Sequence, residues 1–135
     1  MNEQNEEDIL IWRISSFLKW LETTTTSRKV MAYIYESFVS DDEKSLKIEA
    51  MLKPNSLYSE SINNNQFSVS IYKIANYGII KKSYRKNIYE PTKIFMYLLK
   101  IYNEELKNIL YEMNKNELKI DEELVKKIIK NNKKT

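Results

Sequence analysis

Six polar side chains between positions 64 and 73 carry groups suited to hydrogen bonding with base-pair edges: Asn64, Asn65, Gln66, Ser68, Ser70 and Lys73. In the major groove Asn and Gln pair two-pronged with adenine, Lys reaches guanine, and Ser serves either base. Asn64 stands at the start of, and the other five within, Asn65–Tyr77, where Phe67, Ile71 and Ile74 are spaced four and three apart, one stripe of a helix. Gln66, Ser70 and Lys73 lie largely off that stripe. Helix rotation decides which of them meet a ligand, and a merely solvated face is the other use for each.

The residues that follow supply charge. Gly78 is the only glycine of the chain and stands just past the last periodic residue, where a C′ glycine takes positive φ at little cost. Ile79–Arg85 is β-branched and basic, Lys86-Asn87 is a turn, and Ile88–Glu90 returns, which predicts a basic hairpin. Residues 63–93 hold six cations against Glu90 alone, while residues 1–8 hold four acids and no base. Lys81, Lys82, Arg85 and Lys86 are placed to meet a phosphate backbone or a minor groove, and Tyr72 and Tyr77 to meet sugars or phosphates. A lysine-rich solvated surface is the bland alternative.

Other chemistries find little material. The chain has no cysteine and no histidine, so it has no disulfide, no thiolate and no histidine-based triad or zinc ligand. One glycine is too few for either GxxxxGK or GxGxxG. The acids cluster at Asp41-Asp42-Glu43 and Asp121-Glu122-Glu123, each read as a helix start, where acids meet free amides. Ser70 and Tyr72 have no histidine to activate them. The expectation is a binding protein, not an enzyme, with no cofactor and no metal.

These groups need a scaffold. At 135 residues and 42% hydrophobic composition, one domain with a modest core is expected. Residues 1–8 read as a loose acidic arm. Helices are expected over Ile9–Leu21, Arg28–Val39 and, shortly, Ser45–Leu52. The last would bring Leu46, Ile48, Met51 and Leu52 to the core. Leu57–Ser61 reads as a supporting helix, Ile62–Asn64 as a turn, and the next helix carries the readout residues. After the hairpin, a single helix is expected over Thr92–Asn114, about 33 Å long, against a radius of gyration near 14 Å. Its stripe of Phe95, Leu98, Tyr102, Leu106, Ile109 and Met113 is the expected dimer interface. Residues 115–135 make a final helix, Glu122–Lys130, and a basic tail. The fold class is thus mainly α with a small β-hairpin wing, residues 9–114 forming the domain. The acidic start is unlike a secretory signal and no apolar run reaches membrane-spanning length, so a cytoplasmic protein without membrane contact is expected.

The order Ile71-x-x-Ile74-x-x-x-Gly78-Ile79-Ile80-Lys81-Lys82, then Tyr84-Arg85-Lys86-Asn87-Ile88-Tyr89, then a long helix, resembles winged helix-turn-helix regulators of the ArsR, MarR and GbsR kind over roughly Leu57–Met113. That resemblance implies a homodimer on double-stranded DNA, with a recognition helix in the major groove and the wing on the backbone, regulating transcription. The wing is short, and Leu57 stands where those families usually have alanine. Metal sensing does not carry over, since its Cys or His ligands are missing. In size and composition the chain is also similar to the centromere-binding adaptor TubR of plasmid and phage segregation. This likeness implies iterated DNA sites and a filament-forming GTPase as partner. A helical protein-interaction module without DNA binding is the reading from another class, motivated by the apolar breadth of Ile9–Leu21 and Thr92–Asn114.

Overall fold

A computed structural model describes residues 3–54 and 62–117, with side chains over 6–54 and 62–111. Among these residues the chain forms five helices and a three-stranded antiparallel sheet. The expected supporting helix Leu57–Ser61 and the terminal helix Glu122–Lys130 lie outside the described residues.

Helix α1 (Glu3–Thr23) buries Ile14, Phe17 and Leu21, three and four residues apart. It starts earlier than the periodicity indicates, taking up most of the acidic segment expected as an arm. Its neighbour α2 (Thr25–Phe38) is capped by Thr24, whose side chain accepts from the Ser27 amide. α2 is the central element, packing against α1 and two later helices and turning Val30, Met31, Ile34 and Phe38 inward.

The segment after α2 departs from expectation. Ser45–Leu52 is extended: Val39 bridges Leu46, and Ala50–Met51 forms strand β1. Eight residues nucleate a helix poorly, and here a strand partner satisfies the backbone instead. Leu52 is buried and Leu46 half-buried, while Ile48 is 85% exposed and Met51 51% exposed. Asp42 therefore caps no helix. It accepts the Ser40 hydroxyl and the Lys44 amide, and these bonds hold its carboxyl below the usual carboxylate range.

Helix α3 (Asn64–Asn76) begins with a capping box, in which Asn63 Oδ1 accepts from the Gln66 amide at 2.8 Å and Gln66 Oε1 accepts from the Asn63 amide at 2.9 Å. It ends in a Schellman motif: the Gly78 amide bonds Ala75 O at 2.9 Å and the Ile79 amide bonds Ile74 O at 3.4 Å, with Gly78 at φ +86°. The chain then enters β2 (Ile80–Lys82) and returns as β3 (Ile88–Pro91), pairing Ile80 with Pro91, Lys81 with Glu90 and Lys82 with Tyr89. Strand pairing stops at Lys82, three residues short of the expected end, and a loop with Asn87 at φ +63° makes the turn. β1 pairs with the other edge of β3, so the sheet order is β1-β3-β2.

The single helix expected over Thr92–Asn114 is two: α4 (Lys93–Ile101) and α5 (Asn103–Glu117), broken at Tyr102. The break seats Asn103, whose Oδ1 accepts the Tyr35 hydroxyl at 2.7 Å and whose Nδ2 donates to Glu43 at 3.2 Å. It also lets Leu98 and Leu99 of α4 and Leu106, Ile109 and Leu110 of α5 all face the same core. Thr92 caps α4 through the Ile94 and Phe95 amides, and its hydroxyl donates to the carbonyl oxygens of Gly78 and Ile79.

Candidate nucleic-acid interface

α3 turns Phe67, Ile71 and Ile74 to the core, which leaves a polar ridge outside. Asn64, Asn65, Gln66, Ser68, Tyr72, Lys73 and Asn76 are all exposed, joined by Val69 at 44%. No acid occurs anywhere in α3. Beside this ridge a groove of about 400 Å³ runs between α3 and the sheet, lined by Ser68, Tyr72 and Ala75 on one side and Lys82, Asn87 and Tyr89 on the other. The groove thus brings the hairpin and α3 to one surface. Burial pushes the Tyr89 phenol upward from its ordinary pKa.

The expected base-reading residues divide. Asn64, Asn65, Ser68 and Lys73 are exposed on the ridge. Gln66 is exposed, but its oxygen already accepts one bond in the capping box, which fixes the side chain and limits its two-pronged pairing. Ser70 is not available: it is 3% exposed and its hydroxyl meets that of Ser27 at 3.3 Å. Polarity put Ser70 on the outer face, but the turn of α3 it occupies is the one that packs on α2.

The charged and aromatic residues divide as well. Lys81, Lys82 and Lys86 are exposed without an ion pair among the described residues. Arg85 is paired with Glu49 in the segment leading into β1, so its charge is partly answered within the chain. Tyr72 is 66% exposed. Tyr77 is half-buried, its ring tilted against Trp20 and Phe17 with centroids 5.2 and 5.5 Å away, which reduces the surface it can present. Tyr84, at the hairpin tip, is 96% exposed with the Arg85 guanidinium 5.9 Å from its ring centre.

The residues expected at a dimer interface sit elsewhere. Phe95, Leu98 and Leu106 have no exposed area and Ile109 has 7%, all within the chain's own core; Tyr102 is half-buried against Tyr97. The side chains of Phe95, Leu98, Leu106 and Ile109 have almost no surface to offer a second copy. The Met113 side chain lies outside the described residues. The exposed apolar residues near that end are Ile101 and Tyr111, with Ile9 and Trp12 on α1.

Two features of the surface escaped the sequence reading. Asn76 follows Tyr72 by four and Lys73 by three, so the same helical period extends the ridge to it. The threonines Thr24 and Thr26 approach α3 from the α2 N-terminus, a contact that only the tertiary packing creates. Among the described residues no three acidic side chains gather closely enough to hold a metal ion, and no helix is long and apolar enough to cross a membrane. Comparison with protein-family models, curated proteins and solved structures found no match for this chain.

Proposed function

We propose that the chain is a winged helix-turn-helix protein that binds double-stranded DNA as a homodimer and regulates transcription. One observation carries the reading: α3, acid-free and polar outside, passes through Gly78 straight into an exposed basic hairpin, and Lys82 of that hairpin shares a groove with Ser68 and Tyr72 of α3. The element order also supports it. A strand between α2 and α3 pairs with β3, so the hairpin is braced on the helices rather than projecting alone. In this reading α3 enters the major groove with Asn64, Asn65, Ser68 and Lys73 toward the bases. Lys81, Lys82 and Lys86 ride the adjacent backbone. No bond is made or broken. The second copy meets exposed apolar area at Ile9 and Trp12 or at Ile101 and Tyr111, since the α4–α5 stripe is committed to the core.

The competing reading, a helical interaction module, would gain if residues 79–89 were helical; Ile80–Lys82 and Ile88–Pro91 are strands instead, so it does not gain from this segment. The test is selection of the full chain against random duplexes at two salt concentrations, with its mass measured alongside. A dimer that enriches a palindrome supports the regulator, and enrichment of tandem repeats directs the same DNA reading toward a segregation adaptor. Lys81→Ala with Lys82→Ala should weaken all sequences alike and reduce the salt slope by roughly two. Absence of binding at low salt rejects the reading.

A further inference from the structure

The break between α4 and α5 lacks the residues that usually cause one: Ile101-Tyr102-Asn103 holds neither glycine nor proline. Tyr102 alone separates the two helices, at φ −117° and ψ 20°. Helical bonds run up to it and away from it. Its amide bonds Leu98 O at 2.9 Å, and its carbonyl accepts the Leu106 amide at 3.0 Å. Between these, three bonds of a continuous helix are not made, those from the Asn103, Glu104 and Glu105 amides to the Leu99, Lys100 and Ile101 carbonyls. The apolar period of Phe95, Leu98, Tyr102, Leu106 and Ile109 crosses the break without a change of phase. The bend is held by tertiary contacts instead. Asn103 bonds Tyr35 and Glu43, and the Lys107 ammonium lies 2.7 Å from Glu43. Local backbone preference therefore favours one straight helix, and the contacts of α5 favour two.

In a lone copy the straight form is costly. It lifts α5 off α2 and α1 and uncovers Leu106, Ile109 and Leu110. Two copies remove that cost by exchange, because each straightened α5 finds on the other copy the same surface it has left. We infer that the partner of this segment is a second copy of the chain: two chains straighten at Tyr102 and exchange their α5 helices about a two-fold axis. Charge at the crossing fits a second copy. A two-fold axis through Tyr102 sets Lys100 of each chain opposite Glu104 of the partner subunit. Both residues are exposed, and neither has an ion pair among the described residues. Ile101, 52% exposed beside the break, is covered where the two helices cross. Asn103 gives up its bonds, since they need the bend. Lys107, one turn further on, is carried across to Glu43 of the partner subunit. The inference rests on the homodimer part of the proposed function and selects the Ile101 end as the meeting place. It does not rest on DNA binding.

The experiment refolds the full-length chain from an equal mixture of isotope-labelled and unlabelled copies and measures its mass by light scattering over a range of concentrations. The dimer is then treated with a carbodiimide, which joins an ammonium to a touching carboxylate with loss of water, and the linked peptides are weighed. In an exchanged dimer the Glu43 and Lys107 ends of each link come from different chains. Links between a labelled and an unlabelled end are therefore expected at their statistical frequency. Lys107→Arg should abolish the link, because a guanidinium does not couple. Asn103→Ala removes bonds that only the bent form makes, so it should tighten the dimer by roughly tenfold or more. Lys100→Glu sets like charges together at the crossing and should loosen the dimer by roughly fivefold. A dimer whose Glu43–Lys107 links are all unmixed overturns the exchange and leaves the homodimer standing. A chain that stays monomeric at every concentration, with Asn103→Ala as well, overturns both. A dimer that Asn103→Ala loosens, or that Lys100→Glu leaves unaltered, overturns the crossing at Tyr102.

Discussion

Replacing Gly78 by alanine tests the junction on which the α3–hairpin surface depends. At φ +86° the backbone is in the left-handed region, where an L side chain costs roughly 1–2 kcal/mol. A Cβ built there would lie 2.8 Å from Ile94 Cδ1, too close for carbon atoms. Cδ1 is the end of a flexible side chain, so the clash is relieved by moving Ile94 off its rotamer at about 0.5–1.5 kcal/mol. Restricting the unfolded chain works in the other direction, by about 0.4–1 kcal/mol. The balance is a loss of about 0.5–3 kcal/mol. Urea unfolding should show a lower midpoint with an unchanged slope. Two companion variants divide the loss. Gly78→Asn should be milder, because asparagine tolerates the left-handed region. Ile94→Val removes Cδ1, so the pair Gly78→Ala with Ile94→Val should lose less than the sum of the single changes. A Gly78→Ala protein as stable as the original, or more stable, would refute the account, since it would mean the Schellman turn does not hold this geometry in solution.

Other perturbations reach the core, the ion pair and the exposed ridge of α3. Leu106→Ala should cost about 2–5 kcal/mol in the same urea assay, because its side chain is fully buried between helices; a loss well under that range would mean the α5 stripe is exposed after all. The Glu43 carboxylate, 2.7 Å from the Lys107 ammonium, raises the Lys107 pKa above 10.5, and burial together with Glu43 raises that of Tyr35 above 10.0. Both folded forms hold their protons more tightly than the unfolded chain. Their contribution is therefore complete below pH 10.0 and declines as pH rises through the folded values. Thermal unfolding between about pH 9 and 12 should show this decline, and Lys107→Met should make it shallower. Asn65→Ala should lower discrimination among duplexes at one base position by about 1–3 kcal/mol, with little change in salt slope; a uniform loss across sequences would move Asn65 from the bases to the backbone.

The parts legible in the sequence are those whose signals are local. Asn63 and Gln66 sit three apart before an apolar stripe, and Gly78 follows its end, so both limits of α3 are written within sixteen positions. The hairpin shows for the same reason. β1 does not, because Ala50 and Met51 acquire their partners, Tyr89 and Ile88, from nearly forty residues downstream. The break at Tyr102 is hidden too: the apolar period runs unbroken across it, and its cause is Asn103 reaching Tyr35 and Glu43 on distant segments. Ser70 was misplaced because hydrophobicity separates inside from outside only on average. Two serines facing each other across α2 and α3 satisfy part of their polarity and are buried together. The expected dimer stripe failed by a related route. Periodicity identifies a face that must be covered but not what covers it, and here α1 and α2 do so.

The same long-range contacts give the surface its rigidity. Thr92 stands fourteen residues after Gly78, yet its hydroxyl bonds the Gly78 and Ile79 carbonyl oxygens, its amide bonds Ile79 O at 3.2 Å, and its oxygen caps α4. The exit of α3, the entry to β2 and the start of α4 are therefore one hydrogen-bonded junction. Ile79, fully buried, and Ile94, at 7% exposure, anchor it to the core. On the far side of the hairpin, Arg85 and Glu49 tie the loop to the segment leading into β1. A hairpin joined at its base to two helices and at its tip to a third strand cannot swing freely relative to α3. Its lysines are carried at a set spacing from the ridge, which is the condition for one rigid face to meet two features of a duplex at once.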